Sequence, residues 1–214
     1  MKAPESEVWR PGFAYITWEQ RKLGEVASFG KGVGYSKSDI KESGTGFLHY
    51  GRLYTAYGLA IEAVDTFADY REGSLISTGR EVVTPSSGET ADDIAIAAAV
   101  VSPGILLGGG LNVVYPEDVL NPVFLALSIS SGSQHAELVG KAQGKSVVHM
   151  YNDDLAESHL RLPSLSEQSR IGALFQKLDS LITLHQREGR ACSVCWLRLA
   201  LGASCRFVSV SALG

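Results

Sequence analysis

The sequence predicts an α/β fold of the α+β kind: a twisted mixed sheet with short helices, then one amphipathic helix that pairs in a coiled coil or bundle. Three observations predict it. Between Trp18 and Tyr57, short apolar groups are broken by Gly30, Gly32, Gly34, Gly44, Gly46 and Gly51, a pattern of strands and exposed loops. The uncharged run Ile94–Tyr115 is cut by Ser102-Pro103-Gly104 and by Gly108-Gly109-Gly110, which favours buried strands joined by turns over a membrane span. Ile171, Leu174, Phe175, Leu178, Leu181 and Ile182 recur at steps of three and four, the stripe of a helix.

In chain order, residues 1–15 form a lead-in segment containing Pro4, Pro11 and Gly12. Leu75–Ser77 and Glu81–Thr84 read as short strands and Pro85–Gly88 as a turn. Ile94–Val101 and Ile105–Tyr115 read as buried strands, although the alanines at 95 and 97–99 leave a helix open. Asn121 caps a helix with Pro122 at its first position, running to Ser130, and His135–Val139 is a second helical piece. Ser146–His149 is a strand. Pro163 stops what precedes it, and Ser164 with Glu167 has capping-box spacing for a helix over 164–188. Arg170, Lys177, Asp179 and Arg187 fall off its apolar stripe and are expected to face water. Gly189 is expected to break this helix. The tail 189–214 is atypical: from Ala191 onward it has no Asp, Glu or Lys and follows neither a heptad nor a strand pattern, as a frame-altered or recombined end would.

At 214 residues there is room for one globular domain with an appendage. A net charge of −4 argues against sequence-independent nucleic-acid binding, but the charge is uneven. Residues 1–60 hold eight Lys/Arg against six Asp/Glu, 61–140 two against eleven, and 141–214 nine against six. Brought together, the ends would make a basic face on an acidic body. The absence of a basic-then-apolar leader predicts a cytoplasmic protein. Cys192, Cys195 and Cys205 cluster near the end; Cys192-x-x-Cys195 with His185 has metal-ligand spacing but lacks the second pair of a structural zinc site, so no metal is expected.

Catalytic motifs are poorly supported. Asn121-Pro122-Val123-Phe124 approaches the loop that holds a flipped base in adenine methyltransferases, but its third position is wrong and a helix cap explains it. Gly30-x-Gly32 lacks the third glycine of a dinucleotide turn, where Tyr35 stands, and no P-loop is present. Gly108–Gly110 suits a turn or a close backbone approach. Glu89, Asp92 and Asp93 read as a solvated acidic turn, and five scattered histidines with no nucleophile elbow propose no triad. Binding fits better. Loops carrying cations for phosphates and polar side chains for base edges are Lys31–Lys41 with Tyr35 and Lys37, Tyr50–Tyr57 with Arg52 and Thr55, Thr84–Ser87 with Ser86, and Lys141–Lys145 with Gln143.

A family resemblance agrees. Leu162-Pro-x-Leu-x-Glu167-Gln168-x-x-Ile171 with Leu178-Asp179-x-x-Ile182 resembles the region closing a target-recognition domain in specificity subunits of type I restriction-modification systems. Trp18–Val26 followed by Phe29–Val33, Val83–Glu89, and Ala142–His149 followed by Asp154-Leu155 resemble earlier parts of that domain, in order, over roughly residues 16–188. The resemblance implies a DNA target-recognition domain over 16–162 and a pairing or spacer helix over 163–188. It implies a non-catalytic subunit that binds duplex DNA and directs adenine methylation and restriction to a bipartite site. Its partners would be a modification subunit using S-adenosylmethionine and a restriction subunit using ATP and Mg, with no cofactor in this chain and no membrane. Full specificity subunits resemble two such domains joined by two helices. A chain with one of each would form a homodimer reading a two-fold symmetric site, or be a truncated, inactive fragment. Two other classes stand beside this one: an interaction module without a DNA role, told apart by salt-sensitive duplex binding, and a stand-alone methyltransferase, told apart by S-adenosylmethionine binding.

Overall fold

A computed structural model describes residues 18–144 and 147–200, with side chains through Leu184. The chain runs β1 (Glu19–Lys22), β2 (Ala27–Lys31), β3 (Thr45–Leu48), α1 (Arg52–Thr55), β4 (Ala60–Ile61), β5 (Phe67–Ala68), β6 (Ile76–Thr78), β7 (Glu81–Pro85), β8 (Ser87–Gly88) and α2 (Ala91–Ile94). It continues through β9 (Ala98–Val100), β10 (Pro103–Leu107), β11 (Leu111–Pro116), α3 (Pro122–Ser130), α4 (Gly132–Lys141), β12 (Val148–His149), α5 (Asn152–Ala156), β13 (His159–Leu162) and α6 (Leu165–Ala200).

A five-stranded sheet in the order β2-β11-β7-β9-β4 is the centre, with a four-stranded sheet, β5-β3-β10-β6, beside it. Both mix parallel and antiparallel pairs. The continuous apolar strands follow from burial on both faces, since successive side chains point to opposite sides. Val82, Ala97, Ala99 and Val114 join a core closed by Phe124, Leu125 and Ile129 of α3 and Leu138 of α4. Their neighbours Val83, Ala98, Val100 and Val113 face the other way, onto Leu48, Ile105 and Leu107 of the four-stranded sheet. The alanines that left a helix open are thus half of a two-faced strand. The run Ile94–Tyr115 is strands and turns, and among the described residues no helix is long and apolar enough to cross a membrane.

Local signals behave as expected. Asn121 Oδ1 accepts from the Phe124 N–H at 3.0 Å, with Pro122 opening α3. The helix-cap reading of Asn121–Phe124 therefore accounts for that motif.

Glu81 is a charge the sequence did not flag. It is 2 % exposed, and its carboxylate accepts from the backbone N–H of Thr78, Gly79 and Arg80 and from the Thr78 hydroxyl. Burial pushes its pKa up, but these hydrogen bonds outweigh it and leave the group below the usual glutamate range. A lowered folded pKa stabilises the fold above the unfolded pKa and ceases to do so as pH falls through the folded value. Glu81→Gln is expected to cost about 2 kcal/mol at neutral pH. The gap to wild type should close below about pH 4, where an unfolded glutamate is largely protonated. Urea unfolding across pH checks this.

Two faces of α6 matter. Gln168, Ile171, Gly172, Gln176 and Asp179 lie toward the body, at helical steps of three and four. Gln168, 1 % exposed, clamps three backbone groups: its Oε1 accepts from the Asn121 N–H at 2.8 Å, and its Nε2 donates to Val119 O at 3.0 Å and Pro163 O at 2.9 Å. Asp179 accepts from the Leu59 N–H at 3.1 Å, which corrects its expected water-facing place. Ile171 also departs from expectation: it packs against the protein's own core. Leu174, Phe175, Leu178, Leu181 and Ile182 are exposed by 43–57 %, on a stripe roughly a quarter turn from the docked face at 100° per residue.

The expected break at Gly189 is overturned, since α6 continues through it to Ala200. One glycine costs a helix only about 1 kcal/mol. The cysteine side chains, His185 and residues 201–214 lie outside what is described, as do residues 1–17. Among the described residues no cluster of three or more His, Cys, Asp or Glu is arranged to hold a metal ion.

Candidate DNA interface

The turn Gly108–Gly110 ties together loops far apart in sequence. The Gly108 N–H donates to Leu48 O at 2.9 Å, fixing the loop that follows β3. The Gly109 N–H donates to Tyr35 O at 2.8 Å, and Val33 N–H donates to Leu107 O at 3.0 Å, fixing the loop after β2. Gly110 O accepts from both the N–H and the hydroxyl of Ser86, at 2.8 and 3.0 Å, fixing the loop after β7. A fourth segment joins through β12, which pairs with β8, and through Met150 N–H to Ser86 O at 3.2 Å. Asn112 and Asn152 brace it with amide hydrogen bonds to Met150 O and Gly30 O, both 3.0 Å.

Close approach explains the glycines. A Cβ on Gly32 would stand 1.8 Å from Gly108 O, so Gly30-x-Gly32 is a packing device. At Gly110, where φ is +80°, a Cβ would stand 2.7 Å from the Tyr50 ring.

The candidate side chains separate clearly. Lys31 and Lys37 are exposed, and among the described residues neither has a carboxylate within ion-pairing distance. Tyr50 and Ser87 line one cleft of about 470 Å³ together with Tyr54, Gly88, Glu89, Asp93 and Val147. Ser86 anchors its rim. Gln143 bridges to His149 in two backbone hydrogen bonds, and the His149 ring stacks on Tyr151 with centroids 6.2 Å apart. Thr55 is exposed at the end of α1, its hydroxyl on Gly51 O. Arg52 turns away from the cleft into an ion pair with Asp65 at 2.8 Å. Lys145 lies outside the described residues.

Two candidates are corrected. Tyr35 is 3 % exposed; its hydroxyl donates to Asp69 O and accepts from the Arg71 N–H, each at 2.9 Å, while the Arg71 guanidinium covers its ring. Thr84 is 1 % exposed beside Asn112. Both hold the frame and offer no surface to a duplex. Tyr54, within the expected loop Tyr50–Tyr57, belongs to this face, and Glu89, Asp93, Val147, His149 and Tyr151 join it without having been expected there. Only pairing between distant strands gathers them.

Electrostatics at this end are mixed. Burial, then Lys37 and Arg52, holds the His49 pKa down, and its Nδ1 accepts from the Gly51 N–H at 3.0 Å. The ring is therefore a neutral spacer at neutral pH. Burial, then Asp93, pushes the Tyr54 phenol up to about 12, so it stays a donor. Cations and carboxylates from the basic and acidic stretches meet here, so this end is of mixed charge and is not a basic face set on an acidic body. Exposed cations, neutral donors, acceptors and aromatic surface on loops bound to one rigid turn suit an irregular polar ligand such as a groove of DNA.

The model for the type I restriction modification DNA specificity domain matches residues 15–190. The fold is similar to that of a chain from a type I R-M system studied for complex assembly and conformational transition: TM-score 0.59, 17 % identity, 88 % of this chain and 45 % of that one. It is also similar to the HsdS subunit from Thermoanaerobacter tengcongensis, with TM-score 0.55 and 16 % identity over 85 % of this chain and 42 % of that one. The type I restriction-modification S subunit from M. genitalium gives 0.53 and 16 % over 87 % and 44 %. This chain spans less than half the length of each. No curated protein matches it. With the family model covering the sheets, the loop face and most of α6, this chain belongs to the type I restriction-modification DNA specificity domain family, a family that selects sequence and does not itself catalyse.

Proposed function

We propose that this chain selects the DNA sequence at which a type I restriction-modification complex acts, its loops at the Gly108–Gly110 end entering the major groove. The observation that carries the proposal is the binding of three separate loops to one turn, with a fourth segment joined to them through β8 and Ser86, in a chain of this family. Lys31 and Lys37 would take phosphates. Tyr50, Thr55, Ser86, Ser87 and Gln143 would meet sugar or base edges, with Lys145 beside Gln143 in the chain. Adenine methylation belongs in this reading to a modification subunit using S-adenosylmethionine, and cleavage to a restriction subunit using ATP and Mg. Residues 16–162 recognise DNA and the helix from 163 onward assembles. In this reading a second copy supplies the other half-site, paired through the exposed stripe Leu174, Phe175, Leu178, Leu181 and Ile182.

The test is genome-wide adenine-methylation sequencing of cells expressing the chain with its modification subunit. A new bipartite palindromic motif is expected, and Leu178→Glu with Ile182→Glu should abolish it. An asymmetric motif would replace the homodimer by a second specificity chain. No motif would overturn the reading in favour of an inactive fragment.

A further inference from the structure

The cleft beside the loop turn has a chemistry that the phosphate-binding loops do not share. It is lined by the aromatic residues Tyr50 and Tyr54 and by Val147, Ser87 and Gly88, together with the carboxylate residues Glu89 and Asp93. Tyr54 donates its hydroxyl to Ser87 O at 3.3 Å, which occupies that phenol's proton. Tyr50 and Ser87 add hydroxyls, which can donate or accept, whereas the carboxylates of Glu89 and Asp93 can only accept. Asp93 Oδ2 takes the Thr90 hydroxyl at 2.7 Å, which leaves Oδ1 available. Among the described residues Glu89 has no hydrogen-bond or ion-pair partner, and no cation lines the cleft.

Such a slot rejects phosphate by like charge. It also discriminates among base edges. Guanine shows N7 and O6 and thymine shows O4 in the major groove, all acceptors that would face carboxylates. Cytosine N4 and adenine N6 are amino donors, and Asp or Glu accepting from cytosine N4 is a recurrent pairing. The aromatic walls supply flat apolar surface for a base plane or a thymine methyl of the adjoining pair.

We propose that this cleft reads the exocyclic amino group of cytosine or adenine at one position of the half-site, with Glu89 and Asp93 as the acceptors. This deepens the DNA-selection reading above and rests on it. One such contact gives roughly a tenfold to hundredfold preference over the wrong base. A glutamine at 89 presents a donor beside its acceptor and changes the preferred edge.

The experiment selects a randomised duplex library on the full chain, with wild type, Glu89→Gln and Asp93→Asn compared. Both residues are exposed, and unchanged urea midpoints verify folding. The expected result is a tenfold or greater loss or change of preference at one position, with the others retained. Duplexes of the selected sequence then carry 2-pyrimidinone for cytosine, or purine for adenine, at that position. Loss of the amine should weaken wild type about tenfold and Glu89→Gln, which keeps only a neutral acceptor at 89, clearly less, and the base that responds identifies the source. If wild type selects a motif that both variants keep at every position, the cleft proposal falls and DNA selection stands. If wild type selects no motif, both fall.

Discussion

Gln168→Ala is expected to release the start of α6 from the body at a cost of about 4 kcal/mol. The estimate follows from what the substitution strands. The Asn121 N–H, Val119 O and Pro163 O would each lose a partner in a place where the amide now excludes water. Each buried, unpaired polar group costs about 1–3 kcal/mol. Glutamine is required because one side chain must accept once and donate twice. Gln168→Glu keeps the acceptor, loses both donors and sets a charge against two carbonyls, so it should be at least as damaging. Arg170→Ala, two residues on and exposed, should stay within about 0.5 kcal/mol of wild type. Urea unfolding midpoints measure all three. A Gln168→Ala protein within 1 kcal/mol of wild type, roughly the value of one ordinary hydrogen bond, would refute the clamp.

That clamp shows how far the sequence could be read. The Leu162–Ile171 motif was legible as a family signature and as a helix start, because capping and periodicity are local. What Gln168 holds was not legible, since its partners sit 47 and 49 residues earlier in α3's entry loop. The apolar stripe failed in a similar way. Spacing places Ile171 and Leu174 on one helix side, but it cannot say which of them the domain itself covers. Ile171 packs on its own core and Leu174 is left bare, because Gly172 lets α6 approach Val123 and Asn121 closely and so sets the helix rotation. Asp179 looked like a solvated charge until the Leu59 N–H was found facing it.

The loops divide along the same physical line. The turn at Gly108–Gly110 occurs where expected, but Pro85–Gly88, expected as a turn, is divided between the end of β7 and β8, and Pro103-Gly104 opens β10. The candidate loops at 31–41, 50–57 and 84–87 do converge. Which side chains face out depends on strand register, and a step of one residue reverses the face. At β7 both faces are interior through Pro85, so Thr84 is buried whichever way it points, while Ser86 and Ser87 lie past the end of that strand and reach the rim. Tyr35 turns in because Asp69, Ser74 and Arg71 supply partners for its hydroxyl and ring, all more than 30 residues away.

Gly32→Ala is the sharpest test of whether the loop turn sets the reading face. The added Cβ would stand 1.8 Å from Gly108 O, 2.8 Å from Gly108 C and 3.0 Å from Leu107 O. All three are backbone atoms of a strand and turn, so no side chain can swing aside. The loop after β2 must lift, which breaks the Gly32, Val33 and Gly109 N–H bonds to Leu111, Leu107 and Tyr35. At about 1 kcal/mol each, these bonds alone predict a loss of about 3 kcal/mol. Gly34→Ala separates the causes: Gly34 has φ +76° with open space around its Cβ, so only backbone strain of about 1 kcal/mol is expected. At a temperature where both variants remain folded, Gly34→Ala should select the wild-type motif from a duplex library, whereas Gly32→Ala should lose at least tenfold in preference because Lys31 and Lys37 no longer share a frame with Ser86 and Tyr50. If Gly32→Ala unfolds at the wild-type urea concentration and selects the same motif, the turn is not what aligns these loops. The reading face would then have to be sought on another side of the sheet.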